Sequence, residues 1–164
     1  MSEVLVQEFC GPGRGKSMAA LGQGIRAAGQ GKEVFLIQFL KQKDAETLDF
    51  LGRLEPEVKL FRFEKAEGKF EELTEEKQKE AAINMQVGWT FARKAMMTDE
   101  CQVLILDEIL GVLELGIITV DAMRQFLENA PEGAEIILTG QHRCEAIEDL
   151  VDEIYSIDVV KARR

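Results

Sequence analysis

The sequence is short of the residues that build disulfide, zinc and membrane chemistry: it has three cysteines, one histidine, one tryptophan and three prolines among 164 residues. Cys10, Cys101 and Cys144 are odd in number and show no C-x-x-C spacing, so neither a disulfide framework nor a zinc site is encoded, and reduced structural thiols are expected. No apolar run approaches the roughly 20 residues that a bilayer span needs. The opening Met1-Ser2-Glu3 lacks the basic region of a signal peptide, so a cytoplasmic protein with no membrane partner is expected. Basic residues are also in deficit: 20 Lys and Arg against 30 Asp and Glu leave a net charge of −10, with no long basic cluster. A nucleic-acid partner requires a basic face and is not expected. No repeat, low-complexity tract or Pro/Gly/Ser linker divides the chain. What is present is one domain, residues 1–164, 46% hydrophobic and 30% charged, large enough to bury a core.

Short apolar runs alternate with helical stretches, the pattern of an α/β domain with a mainly parallel sheet. Strands are expected at residues 4–9, 34–40, 58–63, 103–106, 134–138 and 154–159, the last with an alternation that suits a sheet edge. A helix over 16–28 places Met18, Leu21, Ile25 and Ala28 on one face and ends at Gly29 and Gly31. A short helix is expected over 44–51, and the charged stretch 64–80 opens as a loop. A long helix over 74–97 has the stripe Ala82, Met85, Trp89, Ala92 and Met96, with Glu75 and Glu76 near its positive end. A further helix runs to about Leu115 and is broken by Gly116, another covers 120–129 behind a Thr119 cap, and a short one covers 146–151.

Between the first strand and the first helix lies Gly11-Pro12-Gly13-Arg14-Gly15-Lys16-Ser17. This is the setting of a phosphate-binding loop: glycines let the backbone turn its N–H groups onto one anion, and the helix adds its positive end. Lys16 supplies a compact charge for phosphate oxygens, and the Ser17 hydroxyl can join the coordination of Mg²⁺. Where the general G-x-x-x-x-G-K-[ST] motif has its first glycine, this chain has Cys10, so the loop is the shorter form G-x-x-x-G-K-S. A dinucleotide G-x-G-x-x-G motif does not fit, because Lys16 occupies the place of its last glycine.

The apolar strand at 103–106 closes on Asp107-Glu108, like the acidic element that accompanies a phosphate loop. Carboxyl ends of parallel strands face one crevice, so these acids would point at the loop and hold Mg²⁺ (or Mn²⁺) together with Ser17. The alternative is a solvated acidic pair capping a helix. Thr139-Gly140-Gln141 ends another strand, as part of the same rim or as an ordinary turn. The lone His142 is read as a surface-loop residue rather than a base.

Taken in order, these segments resemble the P-loop class of ATP:corrinoid (cob(I)alamin or cob(I)yrinic acid a,c-diamide) adenosyltransferases. The matching stretches are GPGRGKSMAA at 11–20, RAAGQGK at 26–32 with QFLK at 38–41, LILDE at 104–108 and ILTGQ at 137–141, with residues 150–154 and Val159-Val160-Lys161 behind them. The resemblance covers nearly the whole chain, is weakest in the middle, and carries the same shortened loop. Gln38-Phe39-Leu40-Lys41 is its most discriminating element, since other P-loop proteins have no reason to carry it. It implies a three-layer, P-loop NTPase-like (RecA-like) α/β fold with about six strands.

The resemblance further implies transfer of the 5′-deoxyadenosyl group of ATP to the cobalt(I) of a reduced corrinoid, with release of intact triphosphate. Leaving-group stabilisation then falls to Lys16 and Arg14, with no protein acid or base. Nucleotide and corrinoid contacts fall to Gly11, Pro12, Gly13, Gly15, Ser17, Met18, Gln38, Lys41, Phe70 and Gln141. A homodimer is implied, with a flavoprotein as candidate reductant. Several departures stand out. Arg14, Ser17 and Met18 replace the usual Lys, Thr and Thr. Gln141 replaces an Arg of the Thr-Gly-Arg motif, with Arg143 near enough to compensate. The sequence begins almost directly at its expected first strand, where the resemblance would place an N-terminal extension, and a Phe–Trp pair before the long helix is reduced to Phe70, Trp89 being read as core. The competing readings are a generic P-loop ATPase or small-molecule kinase, and a nucleotide-binding regulator without turnover.

Overall fold

The near-continuous apolar runs become inner strands of a sheet covered on both faces, the environment that such runs require. The computed structural model describes residues 3–40, 50–63 and 68–163. Among them β1 (Leu5–Cys10), β2 (Val34–Gln38), β3 (Val58–Arg62), β4 (Val103–Asp107), β5 (Glu135–Thr139) and β6 (Glu153–Ser156) form one sheet. The strand order is β3-β2-β4-β5-β1-β6, and every neighbouring pair is parallel. The sheet is thus wholly parallel, and β6 takes the edge that its alternation pointed to.

One layer is α1 (Lys16–Gly29), packed on Phe9, Val34, Leu36, Val103, Ile105 and Ile137. The other holds α2 (Glu75–Met97), α3 (Ile109–Glu114), α4 (Val120–Glu128) and a 3₁₀ turn at Glu145–Leu150, around the larger apolar cluster. The result is the expected three-layer α/β fold. Thr74 and Thr119 cap α2 and α4 by accepting the N–H groups of Lys77 and Ala122. Trp89 is buried edge-on against Phe126, with centroids 5.1 Å apart, and belongs to the core.

Several boundaries and faces differ from expectation. Helix α1 buries Ala20, Leu21, Gly24 and Ala27 rather than the stripe through Met18 and Ile25, which are 53% and 47% exposed. Small residues win because the helix lies tight on the sheet: a Cβ at Gly24 would come within 2.9 Å of Ile105 and 3.0 Å of Val34. On α2, Ala81 is buried in place of Ala82. The final strand ends at Ser156 rather than 159, and the helix expected over 146–151 is the 3₁₀ turn. Most of the helix expected over 44–51 lies outside the described residues.

Candidate active site

Parallel strands deliver their carboxyl ends to one rim, and the order β2-β4-β5-β1 places Gln38, Asp107, Thr139 and the loop after Cys10 along it in a row. At the loop, Lys16 reaches back so that Nζ donates to the carbonyls of Gly11 and Gly13, each at 2.8 Å. Its ammonium is thereby held across the loop mouth. Gly15 precedes α1 in the left-handed region at φ 100°, which a glycine adopts without penalty. Arg14 and Met18 are exposed on the loop and the first turn of α1.

The loop amides are not all aimed at one point. Gly11 N–H donates to the Gln141 carbonyl at 3.0 Å and Gly13 N–H to the Ile157 carbonyl at 2.7 Å, while Pro12 has no N–H. The N–H groups of Gly11 and Gly13 are therefore engaged within the protein. The amides that follow lead into the positive end of α1, the end of a helix that favours an anion.

Asp107 is fully buried, not solvated. Its Oδ1 accepts the hydroxyls of Ser17 and Thr139, both at 2.7 Å, and the Gln38 amide approaches Oδ2 at 3.5 Å. Thr139, itself buried, also accepts the peptide N–H of Glu108 at 2.8 Å. That bond holds Glu108 at φ 65°, a left-handed conformation costly for a residue with a side chain. Glu108 opens α3 without a side-chain cap, so helix capping is not its role there. Ser17 and Asp107 bring hard oxygen atoms together beside the phosphate loop, with Glu108 next in the chain, donor types that would suit Mg²⁺ completed by phosphate and water. Among the described residues no group of three or more His, Cys, Asp or Glu forms a protein-only metal cage.

The remaining candidates scatter. Gln141 is exposed, and its backbone rather than its side chain meets the loop. Arg143 is paired with Glu148, its Nε and Nη2 donating at 2.7 and 2.8 Å. Phe70 is half-buried, packs on the core ahead of α2, and its carbonyl accepts the Gln78 amide at 3.0 Å. Lys41 lies outside the described residues. His142 is exposed and sits 3.2 Å from Glu114, as a surface-loop histidine would. The three cysteines are free, and burial raises the Cys10 thiol and pushes Cys101 up to about 12, so both stay protonated and inert.

Sequence reasoning missed the role of Thr139 and passed over Glu8. Thr139 stood in view within the Thr-Gly-Gln segment, but its partners depend on β5 lying beside β4. Glu8 had a visible signal, an acid inside an apolar strand. It is fully buried with no hydrogen-bond partner for either carboxylate oxygen.

Comparison with known proteins agrees with this geometry. The family model described as ATP:corrinoid adenosyltransferase BtuR/CobO/CobP matches residues 2–163. Over 162 residues the chain is 31% identical to an uncharacterized protein of Nostoc, covering 90% of this chain but only 42% of that relative. It is 29% identical over 153 residues to the corrinoid adenosyltransferase of Escherichia coli, covering 93% of this chain and 76% of the relative. Against the corrinoid adenosyltransferase of Salmonella typhimurium the figures are 28% over 153 residues, with 93% and 76% covered. With the shortened phosphate loop, the LILDE strand and their shared rim all in place, the chain belongs to the ATP:corrinoid adenosyltransferase BtuR/CobO/CobP family.

Proposed function

We propose that this protein transfers the 5′-deoxyadenosyl group of ATP to the cobalt(I) of a reduced corrinoid and releases inorganic triphosphate. The observation that carries the proposal is the linked rim: the Lys16-bridged loop joined through Ser17 to Asp107, and through Thr139 to Glu108, in a chain of this family. Cobalt(I) is the nucleophile on the substrate side. Its electron pair forms the cobalt–carbon bond, the C5′–O bond breaks, and the bonding electrons leave on the triphosphate.

The chain must therefore hold a leaving group, not activate a nucleophile. Lys16 and Arg14 supply cationic donors to the departing oxygens, each charge-assisted contact being worth roughly 1.5–3 kcal/mol. Amides from Arg14 onward bind the phosphates at the start of α1. Mg²⁺, held by Ser17, Asp107 and Glu108, would neutralise charge that builds on the triphosphate. Met18, Gln38, Lys41, Phe70 and Gln141 belong to the nucleotide and corrinoid side of the same proposal, with Gln38 acting from beside Asp107.

A homodimer, a flavoprotein reductant and a cytoplasmic setting without nucleic acid complete the reading. The net charge of −10 disfavours a nucleic-acid partner, and among the described residues no helix is long and apolar enough to cross a membrane. Anaerobic incubation with ATP, Mg²⁺ and chemically reduced corrinoid tests the reading. The expected products are a light-sensitive alkylcobalt spectrum and inorganic triphosphate. Inorganic phosphate or ADP without alkylcobalt would assign an ATPase or kinase, and nucleotide binding without product would assign a regulator.

A further inference from the structure

The three alternating glycines of the phosphate loop meet three different surroundings. At Gly15 the left-handed φ of 100° is the whole requirement, because nothing lies within 4 Å of where a Cβ would stand. Gly13 is the opposite case. Its φ lies outside the left-handed region, yet a Cβ there would come within 2.6 Å of the Ile157 carbonyl oxygen and 2.8 Å of its Cγ2. Gly11 combines both, with φ 102° and the Ile157 oxygen 2.6 Å from a Cβ.

Ile157 is the first residue beyond β6, and it extends the β1–β6 ladder past the Cys10–Ser156 pair. Its N–H donates to the Cys10 carbonyl at 2.8 Å, and its carbonyl accepts the Gly13 N–H at 2.7 Å. The two carbonyls that hold the Lys16 ammonium belong to Gly11 and Gly13, the residues pressed against Ile157. Position thus passes from Ile157 to Gly13, and from the Gly11 and Gly13 carbonyls to Lys16.

We propose that the segment entered at Ile157 is a strap that shapes the phosphate loop, with Ile157 a positioning residue that sets where Lys16 meets the triphosphate. The proposal rests on the phosphate-loop reading above. The strap explains why a loop whose left-handed positions are Gly11 and Gly15 also carries Gly13, whose φ makes no such demand. It further explains why the amide of Gly13 is turned onto the Ile157 carbonyl: it builds the loop rather than binds its ligand. A residue with a side chain at 13 must displace a backbone carbonyl, which cannot yield as a flexible side-chain tip would.

The test uses the full chain with two readouts: calorimetric affinity for inorganic triphosphate and for MgATP, and amide hydrogen exchange at Ile157. Gly13→Ala is expected to weaken triphosphate binding at least about tenfold and to speed Ile157 exchange at least about tenfold, each close to the loss of a backbone hydrogen bond. Gly15→Ala is expected to weaken binding with Ile157 exchange unchanged. Ile157→Pro, which removes the N–H given to Cys10 and leaves the loop sequence intact, is expected to weaken triphosphate binding about fivefold without lowering the melting temperature by more than about 4 °C. Unchanged Ile157 exchange in Gly13→Ala overturns the strap, as does wild-type triphosphate affinity in either Gly13→Ala or Ile157→Pro. Failure of adenosyl transfer with these responses intact would strike the proposed function and leave the strap standing.

Discussion

Replacing Glu8 should make the protein more stable at neutral pH and less sensitive to pH. The side chain lies on β1 three residues before the loop, on the face shared with Val6, Cys10, Leu138 and Ile147, fully buried and without a hydrogen-bond partner. Burial, with a smaller contribution from the Glu148 carboxylate, raises its pKa from 4.5 to about 7, and Arg143 offsets this only in part. The folded state therefore binds the Glu8 proton more tightly than the unfolded chain does. Stability is fully present below 4.5 and is lost as pH rises through about 7. At 1.36 kcal/mol per pKa unit the loss amounts to about 3 kcal/mol, a substantial part of the ~5–15 kcal/mol typical of a domain.

Glu8→Leu removes the titration and suits the apolar neighbours. Urea unfolding of both proteins from pH 4.5 to 8.5 yields two curves of free energy against pH. Their difference should grow by about 3 kcal/mol in favour of the variant between pH 4.5 and 8, with a steepest slope of about 1.2 kcal/mol per pH unit. Subtracting the curves cancels any constant packing change from the new side chain. Parallel curves would refute the reasoning, because they would mean that Glu8 titrates alike in folded and unfolded chains.

At the candidate site, Lys16→Ala is expected to weaken ATP binding at least about tenfold, since a charge-assisted phosphate contact exceeds ~1.5 kcal/mol; titration calorimetry on the folded variant checks it. Glu108→Gln should lower turnover much more than melting temperature, and raised Mg²⁺ should restore part of it; full activity at limiting Mg²⁺ would remove the carboxylate from the metal site. Thr139→Val should cut turnover at least about tenfold by removing both the bond to Asp107 and the one from Glu108, while Thr139→Ser, which keeps both, should stay within about threefold of the parent. Equal loss in the two Thr139 variants, measured by steady-state kinetics over a range of Mg²⁺, would assign the residue to packing instead.

Local chemistry determined much of this protein directly in its sequence. Runs such as Val103-Leu104-Ile105-Leu106 can be satisfied only by burial on both faces, which implies a parallel, helix-covered sheet before any strand order is known. Gly15-Lys16-Ser17 behind a strand and ahead of a helix needs no distant residue to be recognised, and Thr74 and Thr119 cap their helices through bonds three residues long. The acidic strand end at Asp107-Glu108 was legible for the same reason. What the residues do with one another was not. The face of α1 was misjudged because apolar periodicity marks Met18 and Ile25 but not the tight approach that selects Gly24 and Ala20. Thr139 meets Asp107 across 32 positions of sequence, Ser17 meets it across 90, and Ile157 reaches Cys10 and Gly13 from the far end of the chain. These contacts exist only because the order β2-β4-β5-β1-β6 sets those strand ends side by side. Hydrogen bonding acts over about 3 Å, so a sequence displays the donors and acceptors, and the tertiary fold decides their pairing.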